Sequence, residues 1–396
     1  MTSLIQTMGA FLNNHAKQVN KGHGGRAQRS DNNTVMRLLS AQDSAHRRYL
    51  YALGLALPIV MIWAMSSGAI NIDVLKLLSA NFFAGETDQN LSTYAQSLAF
   101  HQHVLWDIRV PRIGMTLLTG AGLAISGVVL QTLCRNPLAD PGLIGVSSGA
   151  ALFAAFGIML LSSSAFSSQL SPWVATSLIP IFASIGSIIA LMLLLSIAGG
   201  KTGLNTLMLI LAGVAINAGA MTLLGFINYV VDDATLRQIT FWSMGSYAGI
   251  DFLKLTICLL VIAPASFIIS KHIGQLMLVS TGEKQATFQG VNVKQLKLKC
   301  LFAVSAIVAV SVSFTGIVGF VGLVVPHICR MLLGSHLKVL LPSSALLGAL
   351  LVTMADTLAR TLLIPAELPI GLLTSVIGVP FFLYLIVKEK RKFQDV

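Results

Sequence analysis

An all-α polytopic membrane protein of about ten transmembrane helices is the fold class this sequence predicts, on three observations. Only 10% of its residues are charged and 55% are hydrophobic, giving a mean hydropathy of +0.80, whereas soluble domains carry about a quarter charged residues. Apolar stretches of roughly twenty residues, enough for a helix to cross a hydrocarbon core of ~30 Å, recur along the chain. Between two of them the run Arg135-Asn136-Pro137-Leu138-Ala139-Asp140-Pro141 brings two prolines and an Arg/Asp pair. Such groups find no water in lipid, so this run must turn at a membrane face or line a cavity buried in protein.

Residues 1–48 are polar and basic, include Gly22-His23-Gly24-Gly25, and read as a disordered cytoplasmic tail. The first apolar stretch, near 49–69, starts too far along the chain for a cleaved signal peptide and reads as an uncleaved signal anchor. From there, 49–396 reads as a single transmembrane domain. The second and third stretches, near 113–133 and 142–161, flank the polar run. Further spans are expected near 174–198, 205–230, 252–270, 300–316, 317–334, 339–360 and 368–387, with the glycine-rich 300–334 region divided in two.

Basic residues orient these spans. With the N-terminus inside, Arg47, Arg48, Arg135, Lys201, Lys271, Lys284, Lys294, Lys297, Lys299, Arg330, Lys338, Lys388 and Lys390 are among those on the cytoplasmic side. The outer set is only Lys76, Arg109, Arg112, Arg237, Lys254 and Arg360, while Asp73, Glu86, Asp88, Asp107, Asp232, Asp233, Asp251, Asp356 and Glu367 also fall outside. An even number of spans with both termini cytoplasmic follows. The net charge of +11 sits in connecting segments and points to membrane topology rather than to nucleic acid.

Small residues punctuate the spans: Gly120, Gly122, Ser126 and Gly127 in the second, Gly145 and Gly149 in the third, Gly213 and Gly219 in the fifth. They suit close helix packing. Asn217 is the polar exception, equally suited to a pathway or to a hydrogen bond with a neighbouring helix. Asp356 and Arg360, four apart, can pair on one helix face. That leaves no isolated carboxylate for ion coupling, so the energy source is expected outside the spans.

Other motifs have plain readings. Cys134, Cys258, Cys300 and Cys329 lack Cys-x-x-Cys spacing and read as buried thiols. His101 and His103, with no companion ligand, read as solvated histidines in a loop rather than a metal site. Gly199-Gly200-Lys201-Thr202 resembles the tail of a phosphate loop, but position 195 is leucine and no strand precedes it, so a basic turn is expected. The longest internal loop, 271–299, holds helical pieces bounded by Gly282 and Gly290 and suits docking to a soluble partner.

These residues together resemble the FecCD-type permeases, the membrane subunits of ABC importers for ferric siderophores, haem and cobalamin. The resemblance lies in Arg109-Val110-Pro111-Arg112, Gly120 to Gly127, Asn136 to Pro141, Leu211-Ala212-Gly213-Val214-Ala215, Gly319 to His327, Ala355-Asp356 and Glu367-Leu368-Pro369-Ile370-Gly371, in family order. It implies a type II ABC importer fold with ten helices per subunit, a dimer with an identical or homologous second permease, two cytoplasmic ATPase subunits and a periplasmic substrate-binding protein. The setting implied is the bacterial inner membrane, with no catalytic residue, cofactor or metal in this chain. Asn136, Pro137 and Leu138 fall at the family's gate between the second and third helices, and Thr206 and Leu207 near its second gate. Gly282, Glu283, Ala286 and Gly290 match the loop that seats in the ATPase, although Thr281 and Gln289 stand where leucines are usual. Arg109, Arg112 and Arg360 match arginines on the outer face that receive carboxylates of the binding protein, a role suited to exposed bidentate donors. A ferric siderophore is the expected cargo, with haem or cobalamin as alternatives. The rival from another class is an ion-coupled carrier using Asp356, and a structural scaffold ranks last.

Overall fold

The computed structural model describes residues 26–68, 70, 99–163, 168, 170–200 and 203–394. They form helices with one small pair of strands. The backbone divides into two units, Met1–Tyr51 and Ala52–Val396. Helix α1 (Arg26–Ser66) begins well before the expected first span. No glycine or proline stands between Arg26 and Gly54 to interrupt it, so the described part of the expected tail is helical rather than irregular. Gly22-His23-Gly24-Gly25, Lys76, Asp73, Glu86, Asp88, Lys201 and Thr202 lie outside the described residues.

Helix α2 (Val110–Leu133) follows a π-helical turn at Val104–Arg109, and the two belong to one helical run that starts at Ala99. The span expected from 113 thus begins earlier, and the expected loop around His101 and His103 is helical. Pro111 falls in the first turn, where a missing N–H costs no helical bond. His103 Nδ1 lies 2.6 Å from Asp107 Oδ2, one turn on.

A 3-10 turn (Pro141–Ile144) leads into α3 (Val146–Ser162), followed by α4 (Pro172–Ala198). Strands β1 (Gly199–Gly200) and β2 (Gly203–Leu204) pair antiparallel and return the chain into α5 (Thr206–Val230), whose first turn Asn205 caps. Between α5 and α7 (Phe252–Lys271) the expected connection folds into a further helix, α6 (Asp233–Met244), capped by Asp232. The 271–299 loop carries α8 (Ile273–Thr281) and α9 (Glu283–Phe288), broken at Gly282.

Helix α10 (Val293–Thr315) and α11 (Val321–Leu333) divide the 300–334 run as expected. The break is enforced by Gly316 at φ +68° and Phe320 at φ +65°, left-handed positions that no α-helix tolerates. Helices α12 (Leu337–Ala359) and α13 (Ile370–Gln394) complete the fold. Among the described residues seven helical runs are long and apolar enough to cross a membrane, and Val146–Ser162, Val321–Leu333 and Ile370–Tyr384 are shorter apolar helices.

Helix α2 is the most buried of the seven and packs against α12, α11, α7 and α10. Two contacts explain its glycines. A methyl group on Gly127 would strike the backbone carbonyl of Gly322 in α11, and one on Gly120 would strike that of Gly348 in α12. Gly213 of α5 meets the Leu143 carbonyl in the same way, whereas Gly219 faces open space. Helix α5 is mostly uncovered, exposing Leu207, Leu211, Met221, Phe226 and Tyr229.

Candidate functional site

The polar run between α2 and α3 is held by its own side chains. Cys134 ends α2, and Arg135 takes φ +48°, which turns the chain sharply. Asn136 Oδ1 accepts the Leu138 N–H at 2.9 Å, and the Asn136 N–H bonds Gln131 O at 3.1 Å. Asp140 Oδ1 accepts the Gly142 N–H at 2.7 Å and caps the 3-10 turn. These short Asn and Asp bonds explain why a segment with two prolines is ordered. Asn136, Pro137 and Leu138 are exposed at the tip, while Ala139 and Pro141 are buried.

Asn217 makes hydrogen bonds to two neighbouring elements. Its Nδ2 donates to Gly142 O at 3.1 Å, and its Oδ1 accepts from Ser148 Oγ at 2.6 Å. One amide therefore ties α5 to both the turn and the start of α3. Burial without partners would cost each of its polar atoms about 1–3 kcal/mol, so this position is specified by its neighbours.

The second expected gate lies across from this hairpin. Thr206 opens α5, and Leu207 beside it is 61% exposed. Lys297 of α10 donates through Nζ to Leu204 O at 2.9 Å and to Thr206 Oγ1 at 3.2 Å. Glu283, at the start of α9, places Oε1 2.9 Å from Lys297 Nζ and 3.5 Å from Arg135 Nη2. Ala286 is the buried residue of α9, and Gly290 closes the segment at φ +85°, while Phe288 is exposed. In the sequence Lys297 stands out only as one of the cytoplasmic basic residues. The available signal was its register: Leu296, Cys300 and Leu301 form an apolar stripe that Lys297 shares, and a cation there needs partners.

The other end of α2, 24 residues and about 36 Å away along its axis, holds a separate cluster. Arg112 Nε and Nη2 donate to Asp356, and its Nη1 and Nη2 donate to Glu367 Oε1 and Oε2 at 2.9 and 3.0 Å. Arg360 Nε stands 3.9 Å from Asp356 Oδ2, while its Nη2 donates to Ala64 O. Arg109 donates to the carbonyls of Met65 and Ile70. Relative exposures of 5% for Arg109 and 8% for Arg112 and Arg360 correct the expectation of open arginines. Each has internal acceptors that the sequence hides because they lie on distant segments. The expected Asp356–Arg360 pair is likewise secondary to Asp356–Arg112.

The sequence profile of the FecCD transport family matches residues 56–388. The chain is 38% identical over 340 residues to the hemin transport system permease protein HmuU of Yersinia pestis, covering 86% of this chain and 96% of that one. It is 36% identical over 330 residues to a vitamin B12 import system permease protein BtuC of Vibrio parahaemolyticus, covering 83% and 95%. Against the iron(3+)-hydroxamate import system permease protein FhuG of Bacillus subtilis, identity is 33% over 334 residues, covering 84% and 95%. Among solved structures, a metal-chelate type ABC transporter in an inward-facing conformation aligns with a TM-score of 0.71 and 32% identity, over 86% of this chain and 99% of that one.

Proposed function

The chain belongs to the FecCD transport family, and from that premise we propose that it is the translocation subunit of an ATP-driven importer carrying an iron chelate across the bacterial inner membrane, with both termini cytoplasmic. It is a polytopic permease and makes or breaks no covalent bond. Two copies, or this chain and a homologous permease, would enclose the pathway, to which the uncovered face of α5 is suited. Two ATPase subunits dock on 271–299, and a periplasmic binding protein delivers the cargo.

Gating in this reading belongs to the Asn136–Leu138 hairpin and the Thr206–Leu207 turn. The observation that carries it is the contact of Glu283, in the docking segment, with Arg135 at the hairpin base. An ATPase that binds one arrangement of α8 and α9 more tightly biases the hairpin as well, since a ligand shifts a conformational equilibrium by its differential affinity. At the opposite end, Glu367 is the accessible member of the arginine cluster, its side chain 41% exposed. A carboxylate of the binding protein can take its place on Arg112, which keeps Arg109, Arg112 and Arg360 in the docking role.

A ferric siderophore is the cargo assigned. Haem is the second reading, favoured by the hemin permease at 38% identity. Proteoliposomes holding the complete importer, offered a ferric hydroxamate, haemin and cobalamin in parallel, decide among them. ATP-dependent accumulation of the hydroxamate supports the assignment, and uptake driven by an ion gradient without ATP sinks the whole reading.

A further inference from the structure

We infer that Lys297 is a positioning residue that binds the ATPase-docking segment and both gates into one unit. The inference rests on the gating reading above. An ammonium carries three N–H donors and no acceptor. Lys297 is 4% exposed, and the three acceptors around its Nζ belong to two different moving parts. Glu283 Oε1 at 2.9 Å is the first residue of α9. Leu204 O at 2.9 Å and Thr206 Oγ1 at 3.2 Å are the end of β2 and the start of α5. The same Glu283 oxygen lies 3.5 Å from Arg135, so the third part, the α2–α3 hairpin, joins through a shared acceptor.

The arrangement is asymmetric in a useful way. Lys297 is fixed on α10, inside the packed body of the protein. Glu283 and Arg135 are more than a third exposed, at 38% and 44% of their side chains, and are free to rearrange. Pulling Glu283 away would leave a buried ammonium without the anionic partner it has among the described residues, a penalty that removing one member of a buried pair typically makes large. Displacement of α9 is therefore transmitted to the Leu204–Thr206 junction and to Arg135 together, rather than absorbed by the loop. A lysine that merely satisfies its own burial would stabilise the fold without linking these movements.

The experiment uses the complex with its ATPase subunits in nanodiscs, with reporters Leu138→Cys or Leu207→Cys and the labelling rate of a polar maleimide measured with and without ATP. With Lys297 intact, ATP changes the rate at both sites by about fivefold or more, the lower range of coupling between linked sites. In complexes that keep both ATPase subunits, Lys297→Met is expected to lose the change at both reporters, and Lys297→Arg to retain it. Retention of the change in Lys297→Met, or its loss at one reporter only, overturns the proposal. If Lys297→Met does not assemble, Glu283→Gln decides: an unaltered response overturns the proposal and a lost response at both sites supports it. Labelling that ignores ATP even with Lys297 intact removes the gating reading and this relay with it.

Discussion

Arg112 and Asp356 meet across 244 residues of sequence, Nε donating to both carboxylate oxygens at 3.0 and 3.2 Å and Nη2 to Oδ1 at 2.8 Å. This pair fastens α2 to α12 at the end remote from the hairpin, where both side chains are nearly inaccessible. An Asp held in this way by a fixed guanidinium is a structural partner, which is why the ion-coupled carrier reading loses its carboxylate.

Removing one member leaves the other charged and buried. Arg112→Met and Asp356→Leu should each destabilise the protein by about 3–5 kcal/mol. The double variant Arg112→Met/Asp356→Leu should be closer to wild type than either single change. Thermal unfolding in detergent reports this, and simple additivity of the two singles would contradict the pairing.

Glu367 shares Arg112 but is far more exposed, so its loss should matter less to the fold. Glu367→Gln is expected to cost no more than about 1 kcal/mol, in the range of exposed pairs. Its informative readout is affinity for the binding protein. If incoming carboxylates displace Glu367, the variant binds more tightly, since Glu367 no longer competes for Arg112 Nη1, which Asp356 leaves free. Weaker binding would count against displacement.

Helix α2 can approach α11 only where Gly127 faces the Gly322 carbonyl. Gly127→Ala should therefore lower the melting temperature, overpacking a dense contact costing about 1–3 kcal/mol. Gly219→Ala, with nothing near its added methyl, should leave it unchanged or raise it, since alanine favours a helix interior over glycine by up to about 1 kcal/mol. Equal effects at the two positions would show that helix propensity, not close approach, decides.

The amide of Asn217 makes two hydrogen bonds that hold the turn beneath the gate. Asn217→Ala should lose roughly 1 kcal/mol for each bond. It should also raise ATP hydrolysis in the absence of cargo, because a loosened turn no longer resists the motor. Unchanged basal hydrolysis in the assembled importer would assign Asn217 to packing alone.

The spans were legible because lipid demands long apolar runs, and the gate hairpin because prolines and charges stand out within them. The partners of Arg112, Arg135 and Lys297 were not. A salt bridge between α2 and the segment after α12 leaves no trace in local periodicity, and the sequence suggested instead the nearer Asp356–Arg360 pair. Helix α6 is hidden in the sequence because Asp232, Asp233 and Arg237 read as loop polarity, although Asp232 is a good N-cap. The early start of α2 was hidden by Arg109, Pro111 and Arg112, whose costs the fold removes with a first-turn proline and internal acceptors.

Asp140 makes the hairpin sensitive to pH. Burial raises its pKa above the ordinary carboxylate value, and the hydrogen bond from the Gly142 N–H opposes that rise without cancelling it. The folded state thus holds the proton more tightly than the unfolded chain, and stability falls as pH climbs from about 4, the unfolded carboxylate range, through the folded pKa. Asp140→Asn keeps an oxygen for the Gly142 N–H and has no proton to lose. Its melting temperature should exceed that of the wild type at neutral pH, and the gap should close as pH falls to about 4. Asp140→Ala separates charge from capping, since it also relieves the buried charge but forfeits the cap, worth about 1 kcal/mol. Ranking the three proteins across the titration checks both parts, and a wild type that outlasts Asp140→Asn at neutral pH would mean the carboxylate is held by a favourable charge partner instead.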